Sequence, residues 1–299
     1  MEVDFDDYKK AHNSIFKITA ISREWIHWWF YWVHKGNARV YGVYLGDTLV
    51  GIWGVEPRVL FNKDKNINVG RCFATGILED HRRQGLFVAL SKFALSEEKK
   101  LGQYDYIVGF PQSGRSVVGG HLKAGWYIVQ NIDVYKYIPS QDDRLNPSTH
   151  LNTFDTGDKF LLEVEEIDDY PFCPDGSFVK WHKTRWTKHP DIHYINRATT
   201  GGFIVIKQYK DWAHLLALEC TVPRGYTWLL RCAKLLCNTH GWSWISMWCA
   251  DNQLHRDIII EEGFTKTADT IHLIAYNINA TENLHLDSCN IQMGIEEGY

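Results

Sequence analysis

Between Phe73 and Val88 the chain reads FATGILEDHRRQGLFV: an apolar run, two acidic residues, a basic pair, then a glycine where a helical pattern begins. The first backbone N–H groups of a helix have no intrahelical partner, and Gly85 lets a ligand come close to them. Together they suit an anion of pyrophosphate type. Arg82 and Arg83 add charge and directional donors. Taken alone, the same residues also describe a solvated basic helix start. Two further residues are of types that move protons. Glu79 follows the apolar run and can take up a proton directly or through water, a plain surface carboxylate being the alternative. His121, in HLKAGW, has an imidazole that ordinarily titrates near neutral pH and can donate or accept, or it is an exposed histidine on a short helix.

These residues need a scaffold, and the pattern of apolar runs supplies one. A helical stretch from about Ser22 to His34 precedes ARVYGVYL (38–45), TLVGIWGVEPRVLF (48–61) and INVGRCFATGIL (67–78), separated by Gly46-Asp47 and the polar 62–66 cluster. This is the signature of antiparallel strands joined by hairpins. Thr75-Gly76 suits a bulge that opens the last of them. In RRQGLFVALSKFALSEEKKLG (82–102), Leu86, Leu90, Phe93 and Ala94 share one helical face, with Lys99 and Lys100 in the last turn and Gly102 as the cap. YDYIVGFP (104–111) reads as a buried strand, GRSVVGGHLKAG (114–125) as a short helix and WYIVQNIDVYKYI (126–138) as closing strands.

From Phe160 the order largely recurs. A strand at FLLEVEE and a helix near FVKWHKTRW lead to strands at IHYINR, GGFIVIKQYK and AHLLALEC (213–220). A helix at 227–241, a strand at 242–249, a helix at 254–263 and a closing strand at 267–278 follow. The expected fold class is α+β, two tandem units, each a mixed, mostly antiparallel sheet flanked by helices. Residues 1–140 form the first domain, 141–158 a polar linker and 159–299 the second domain.

Composition narrows the partners. A net charge of -4 gives no electrostatic reason to expect nucleic acid or an anionic membrane. No run approaches the ~20 apolar residues of a membrane span, and the acidic start lacks a signal-peptide core, so a cytoplasmic protein is expected. Seven scattered cysteines form no CxxC pair or zinc spacing, so no metal is expected. Thirteen tryptophans, clustered at 25–32, 181–186 and 242–248, are read mostly as core, with a minority lining a cleft for a flat ligand.

The 73–88 stretch resembles motif A of the GNAT superfamily of N-acyltransferases, in which a Q/R-x-x-G-x-G/A loop binds the CoA pyrophosphate through main-chain amides. Here that loop reads Arg82, Arg83, Gln84, Gly85, Leu86, Phe87, and Phe87 stands where the family has Gly or Ala. HLKAGW is similar to the family's Y-x-x-x-G-F ending, which places His121 where the family often has a tyrosine that protonates the departing thiolate. The resemblance covers residues 15 to 138 and implies acyl-CoA as co-substrate. The acyl-pantetheine lies along Phe73, Ala74, Thr75, Gly76, Ile77 and Leu78, and the pyrophosphate sits on Arg82 to Val88. His121 and Glu79 are the catalytic candidates. The second half is similar in element order and in its IIIEEGF ending, but Pro223 and Ile259 stand where a phosphate loop and a proton donor belong. It reads as a degenerate copy shaping the acceptor site.

RWTKHPDIHY (185–194) is similar to the W-R-Y-x-x-H-P segment of tandem-GNAT bacterial sugar N-acyltransferases, although His189-Pro190 also simply ends a helix. That resemblance implies a nucleotide-linked, dTDP-type amino-dideoxy sugar as acceptor and a place in lipopolysaccharide or O-antigen synthesis. Trp181, Arg185, Trp186 and Tyr194 then offer stacking faces and a cation for the diphosphate. The alternatives are acetylation of a protein, polyamine or antibiotic amine, and a non-catalytic CoA-binding module. Self-association stays open.

Overall fold

The computed structural model describes residues 3–17, 21–27, 30, 38–62, 65–141, 192–197, 202–220, 222–250 and 255–285. All but the first residue of the linker expected at 141–158, the FLLEVEE strand and the FVKWHKTRW helix lie outside the described residues, as do Trp181, Arg185 and Trp186. The chain divides into two compact units. Among the described residues the first comprises 3–131 and 271–285, and the second 132–270.

In the first unit, α1 (Phe5–Ile15) begins where the Asp4 carboxylate accepts hydrogen bonds from the N–H groups of Asp6 and Asp7. Tyr8, Ala11 and His12 form its buried stripe. A short α2 (Arg23–His27) covers part of the helix expected at 22–34. Three long strands follow, β1 (Arg39–Leu45), β2 (Thr48–Asn62) and β3 (Lys65–Ile77), successively antiparallel. Then come α3 (Leu86–Leu101), β4 (Tyr106–Gly109), α4 (Ser116–Lys123) and β5 (Tyr127–Tyr137). β4 lies parallel to β3 and antiparallel to β10 (Thr265–Asn277).

One face of this sheet packs on α3. Trp53, Val55, Ile77, Ile107 and Trp126 meet Leu90, Ala94 and Leu95 in one core. The helix is locked to the edge strand by a carboxylate without solvent contact. Glu98 accepts from Arg39 Nε at 2.8 Å, Arg39 Nη2 at 2.5 Å and the Tyr41 hydroxyl at 2.6 Å. Burial and then the neighbouring Glu98 push the Tyr41 hydroxyl above its ordinary range. Burial works against the Arg39 cation, but the Glu98 hydrogen bond and charge outweigh it, so the guanidinium is also held above its usual value.

The second unit repeats the pairing order. β6 (Ile192–Arg197), β7 (Gly202–Tyr209) and β8 (Trp212–Glu219) are successively antiparallel. β8 is parallel to β9 (Ile245–Ala250), which is antiparallel to β5. Helices α5 (Pro223–Thr239) and α6 (Arg256–Glu261) complete the unit. Its core joins Ile204, Leu215, Ile245 and Met247 to Leu229, Ala233 and Ile259. Here too a buried ion pair ties the helices, Lys234 to Glu262 at 3.0 Å. Each unit is thus a mixed, mostly antiparallel sheet flanked by helices. Among the described residues, no helix is long and apolar enough to cross a membrane.

The sequence reading ends the first domain at 140, whereas the compact unit ends at 131 and takes in the last strand's second half. Hydrophobic periodicity follows chain order and carries no sign that a distant strand returns. α3 starts at Leu86, directly after the glycine at which the helical pattern begins in the sequence, and Arg83 (φ 63°) and Gly85 (φ 78°) are left-handed in the loop before it.

Removing the Glu98 carboxylate leaves a part-buried guanidinium without its main partner. Glu98→Ala should lower the unfolding free energy by about 3 kcal/mol in urea titrations, and a loss under 1 kcal/mol would show that α3 is held by apolar packing alone.

Candidate functional site

The residues expected to hold CoA lie along β3 and the loop into α3, and β3 parts from β4 within this stretch. The parallel ladder pairs Val69 with Tyr106, Gly70 with Ile107 and Arg71 with Val108, and then stops. β3 runs on to Ile77 while β4 ends at Gly109, so the two strands open a gap beside Cys72 to Ile77. On its other side, β3 carries a bulge. Gly54 faces Phe73 and Ile52 faces Gly76, which leaves Ala74 and Thr75 together opposite Trp53. The bulge stands one residue before the expected Thr75-Gly76, with Ala74 at φ 44°.

Gly54 makes that bulge fit, since a Cβ there would lie 2.7 Å from the Phe73 ring and 2.9 Å from its carbonyl oxygen. The Thr75 hydroxyl donates to the Phe73 carbonyl at 3.1 Å, bridging the bulge from within. Burial pushes the neighbouring Cys72 thiol up to about 12, so it stays protonated at neutral pH and is no nucleophile.

After β3, Glu79–His81 make a single 3-10 turn and Arg82 to Gly85 form the loop. Arg82 Nε donates to the Ile77 carbonyl at 3.0 Å, which ties the loop to the end of the strand. The first intrahelical bond of α3 runs from Ala89 N–H to the Gly85 carbonyl, so the N–H groups of Leu86, Phe87 and Val88 precede the ladder. Nothing lies within 4 Å of where a Gly85 Cβ would sit. Arg83 and Gly85 are left-handed, and alternation of handedness along a backbone is one way in which successive amides come to suit an anion. Phe87 lies in the first turn of α3. Its ring turns to α4, where a Cβ on Gly120 would lie 2.6 Å from it.

His121 is buried on α4, 4% exposed, between the rings of Phe87 (centroids 5.1 Å apart) and Trp126 (4.6 Å). Its Nδ1 has no hydrogen-bond partner. Burial alone lowers its pKa to about 4, so the ring is neutral at pH 7 and does not titrate near neutrality as expected from sequence. Glu79 is exposed and pairs with Lys17 Nζ at 2.9 Å. The Lys17 hydrogen bond and charge hold its carboxyl below the usual range, which makes it a weaker base than a free glutamate. Gly54, Gly120 and Lys17 were missed by sequence reading. Two are glycines whose close contacts come from other elements, and Lys17 lies 62 residues from its partner.

The second unit has the same opening without the loop. β8 and β9 pair at Ala213/Ile245 and His214/Ser246 only, and the register of β7 against β8 shifts where Leu216 is extra. The α6 ending matches that of α4: Phe264 N–H bonds to the Ile259 carbonyl as Trp126 N–H bonds to that of His121. Between β8 and α5, however, only residues 220–222 intervene, against 78–85 in the first unit, and Pro223 occupies the first helical turn. Tyr194 lies in β6, paired with Val205.

No family model matches the chain, and no curated protein matches it. Solved structures do. A GCN5-related N-acetyltransferase from Kribbella flavida superposes with a TM-score of 0.58 at 11% identity, over 93% of this chain and 71% of that one. One from Anabaena variabilis ATCC 29413 gives 0.58 and 11%, over 93% and 72%. Eis1 from Mycobacterium abscessus gives 0.55 and 12%, over 93% and 73%. The chain therefore has the fold of the GCN5-related N-acetyltransferases.

The neutral His121 has a consequence for stability. An unfolded histidine binds a proton below about pH 6.5, whereas the folded one does so only below about 4. Stability is therefore complete above pH 6.5 and falls as the pH drops from 6.5 toward 4, by at most about 1.4 kcal/mol per pH unit for this residue. His12 and His255, also lowered to about 4 by burial, act in the same window. His121→Phe should flatten the dependence of the unfolding free energy on pH between 6.5 and 4.5. An unchanged slope would show that His121 titrates normally in the folded protein.

Proposed function

We propose that the protein is an N-acyltransferase that moves an acyl group from acyl-CoA to a primary amine, with the acyl-CoA held by the first unit. The observation that carries this reading is the coincidence of three features at one place. β3 parts from β4 beside a bulge, and an amide-bearing loop leads from that strand into α3. An extended pantetheine needs a strand edge with free backbone groups, and a pyrophosphate needs converging N–H donors. Residues 73–78 and 82–88 supply these in chain order.

Each chemical requirement then falls to a definite group. The amine nitrogen attacks the thioester carbon, and the oxyanion formed there is stabilised by a backbone N–H along Phe73 to Leu78. The C–S bond breaks and the sulfur takes a proton. His121 is assigned that donation: burial keeps the imidazole uncharged at pH 7, so it takes the proton that the nitrogen releases after attack and passes it to the sulfur, ending neutral again. Glu79, ionised and paired with Lys17, is assigned to receive through water the earlier proton, which the acceptor's ammonium loses before it attacks.

The acceptor assignment rests on sequence. The RWTKHPDIHY segment supports a nucleotide-linked amino-dideoxy sugar, with Trp181, Arg185, Trp186 and Tyr194 of the second unit contacting nucleotide and diphosphate. The short β8–α5 connection and buried Ile259 support a second unit that does not bind CoA. Mass-spectrometric screening of amine acceptors with acetyl-CoA and longer acyl-CoAs tests the assignment, and acylation of polyamines or peptides with amino sugars untouched would overturn it.

Two variants test the first unit. Reversing Arg82 and Arg83 to Glu should weaken CoA binding, measured calorimetrically, at least tenfold, and raised salt should weaken the parent's binding. Unchanged affinity would move the cofactor elsewhere. His121→Ala should lower kcat at least tenfold with CoA affinity within twofold. A kcat within twofold of the parent would leave thiolate protonation to water.

A further inference from the structure

Phe87 occupies two environments at once. Its backbone N–H is one of the three that precede the α3 hydrogen-bond ladder and face the loop. Its ring meets His121 edge to face, with centroids 5.1 Å apart and planes at 87°. His121 also meets Trp126, at 4.6 Å and 63°. The imidazole is thus held between two aromatic rings, one of which belongs to the residue at the loop. That arrangement depends on Gly120, because a Cβ there would lie 2.6 and 2.7 Å from two atoms of the Phe87 ring. The substitution of an aromatic for a small residue at position 87 and the glycine at 120 are therefore complementary, each tolerable because of the other.

We propose that Phe87 is a positioning residue that couples the anion-binding loop to His121: its amide serves the loop while its ring, seated on Gly120, fixes the imidazole against Trp126. The proposal rests on the assignment of CoA to this loop and goes beyond it, since it concerns how binding reaches the proton donor. An anion drawing on the amides of residues 86–88 acts on the first turn of α3, and that turn carries the ring that touches His121. No ionised neighbour contributes to the His121 shift, and burial is its sole cause.

The experiment combines NMR titration of the His121 ring with steady-state kinetics and CoA calorimetry on the full chain. In Phe87→Ala, water reaches the imidazole. Its pKa should rise from about 4 toward 6.5 and kcat should fall at least fivefold, while CoA affinity stays within twofold because the backbone amide remains. Gly120→Ala, which displaces the Phe87 ring, should shift both readouts the same way, and Phe87→Ala/Gly120→Ala should add nothing further to Phe87→Ala. In the parent, CoA should perturb the His121 ring resonances, and Phe87→Ala should lose that response. If Phe87→Ala does not fold, Phe87→Leu replaces it, with the same directions expected. A parent-like His121 titration and kcat in the Phe87 variant, or full additivity with Gly120→Ala, would overturn the coupling. If the parent itself does not bind CoA, the CoA assignment fails, and the titration arm still decides whether Phe87 holds His121.

Discussion

The whole site depends on two parallel strands that stop being neighbours. As long as β3 and β4 stay paired, their backbone groups serve one another and no extended ligand can lie between them. The pairing ends at Arg71 and Val108, and the bulge at Ala74 and Thr75 re-aims the rest of β3. Backbone amides and carbonyls in a protein interior must find partners. A strand edge opened inside a domain is tolerable where water or a ligand's amide chain can take the place of the missing strand. Gly54 and Thr75 hold the geometry at small cost, one by leaving room for Phe73 and the other by bonding across the bulge.

The loop after β3 inherits its position from both ends. Arg82 ties it to the last carbonyl of the strand, while α3 is anchored a full helix length away by the Glu98 carboxylate and its partners on β1. Between these points the amides of residues 86–88 are held by rigid elements rather than by the loop itself. Exposed pairs such as Lys17–Glu79 add little to that rigidity, because solvent screens them. The apolar layer of Trp53, Leu90, Ala94 and Trp126 and the buried ion pair carry it.

The second unit shows that opening a sheet does not by itself make a site. It has the shifted register at Leu216, the short parallel ladder of β8 on β9 and the same helix-glycine-aromatic turn at its end. Yet the connection into α5 is too short to form a loop, and its start carries a proline, which has no N–H to offer. Leu216, Leu218 and Ile259 are buried there instead. Fold and chemistry therefore separate within one chain. The same architecture leads into its helix through an eight-residue connection in one unit and a three-residue one ending at a proline in the other.

Local features were legible in the sequence because they depend on local rules. Alternating apolar runs marked β1 to β3, helical spacing marked α3, and a glycine after a basic pair marked the amide-bearing loop. α1 was equally legible from its Asp4 cap and the spacing of Tyr8, Ala11 and His12, and was passed over. What distance along the chain conceals, only the tertiary structure decided. Within that loop, Arg83 and Gly85 are left-handed. Periodicity does not report backbone handedness. The sequence shows Phe87 where the resembled loop has Gly or Ala, but not that α4 brings Gly120 against its ring. His121 was read as an imidazole titrating near neutrality, but the rings of Phe87 and Trp126 exclude water from it and leave it neutral. Sequence sets which groups a residue can offer. Burial, which depends on contacts made by residues far apart in the chain, sets their charge and reach.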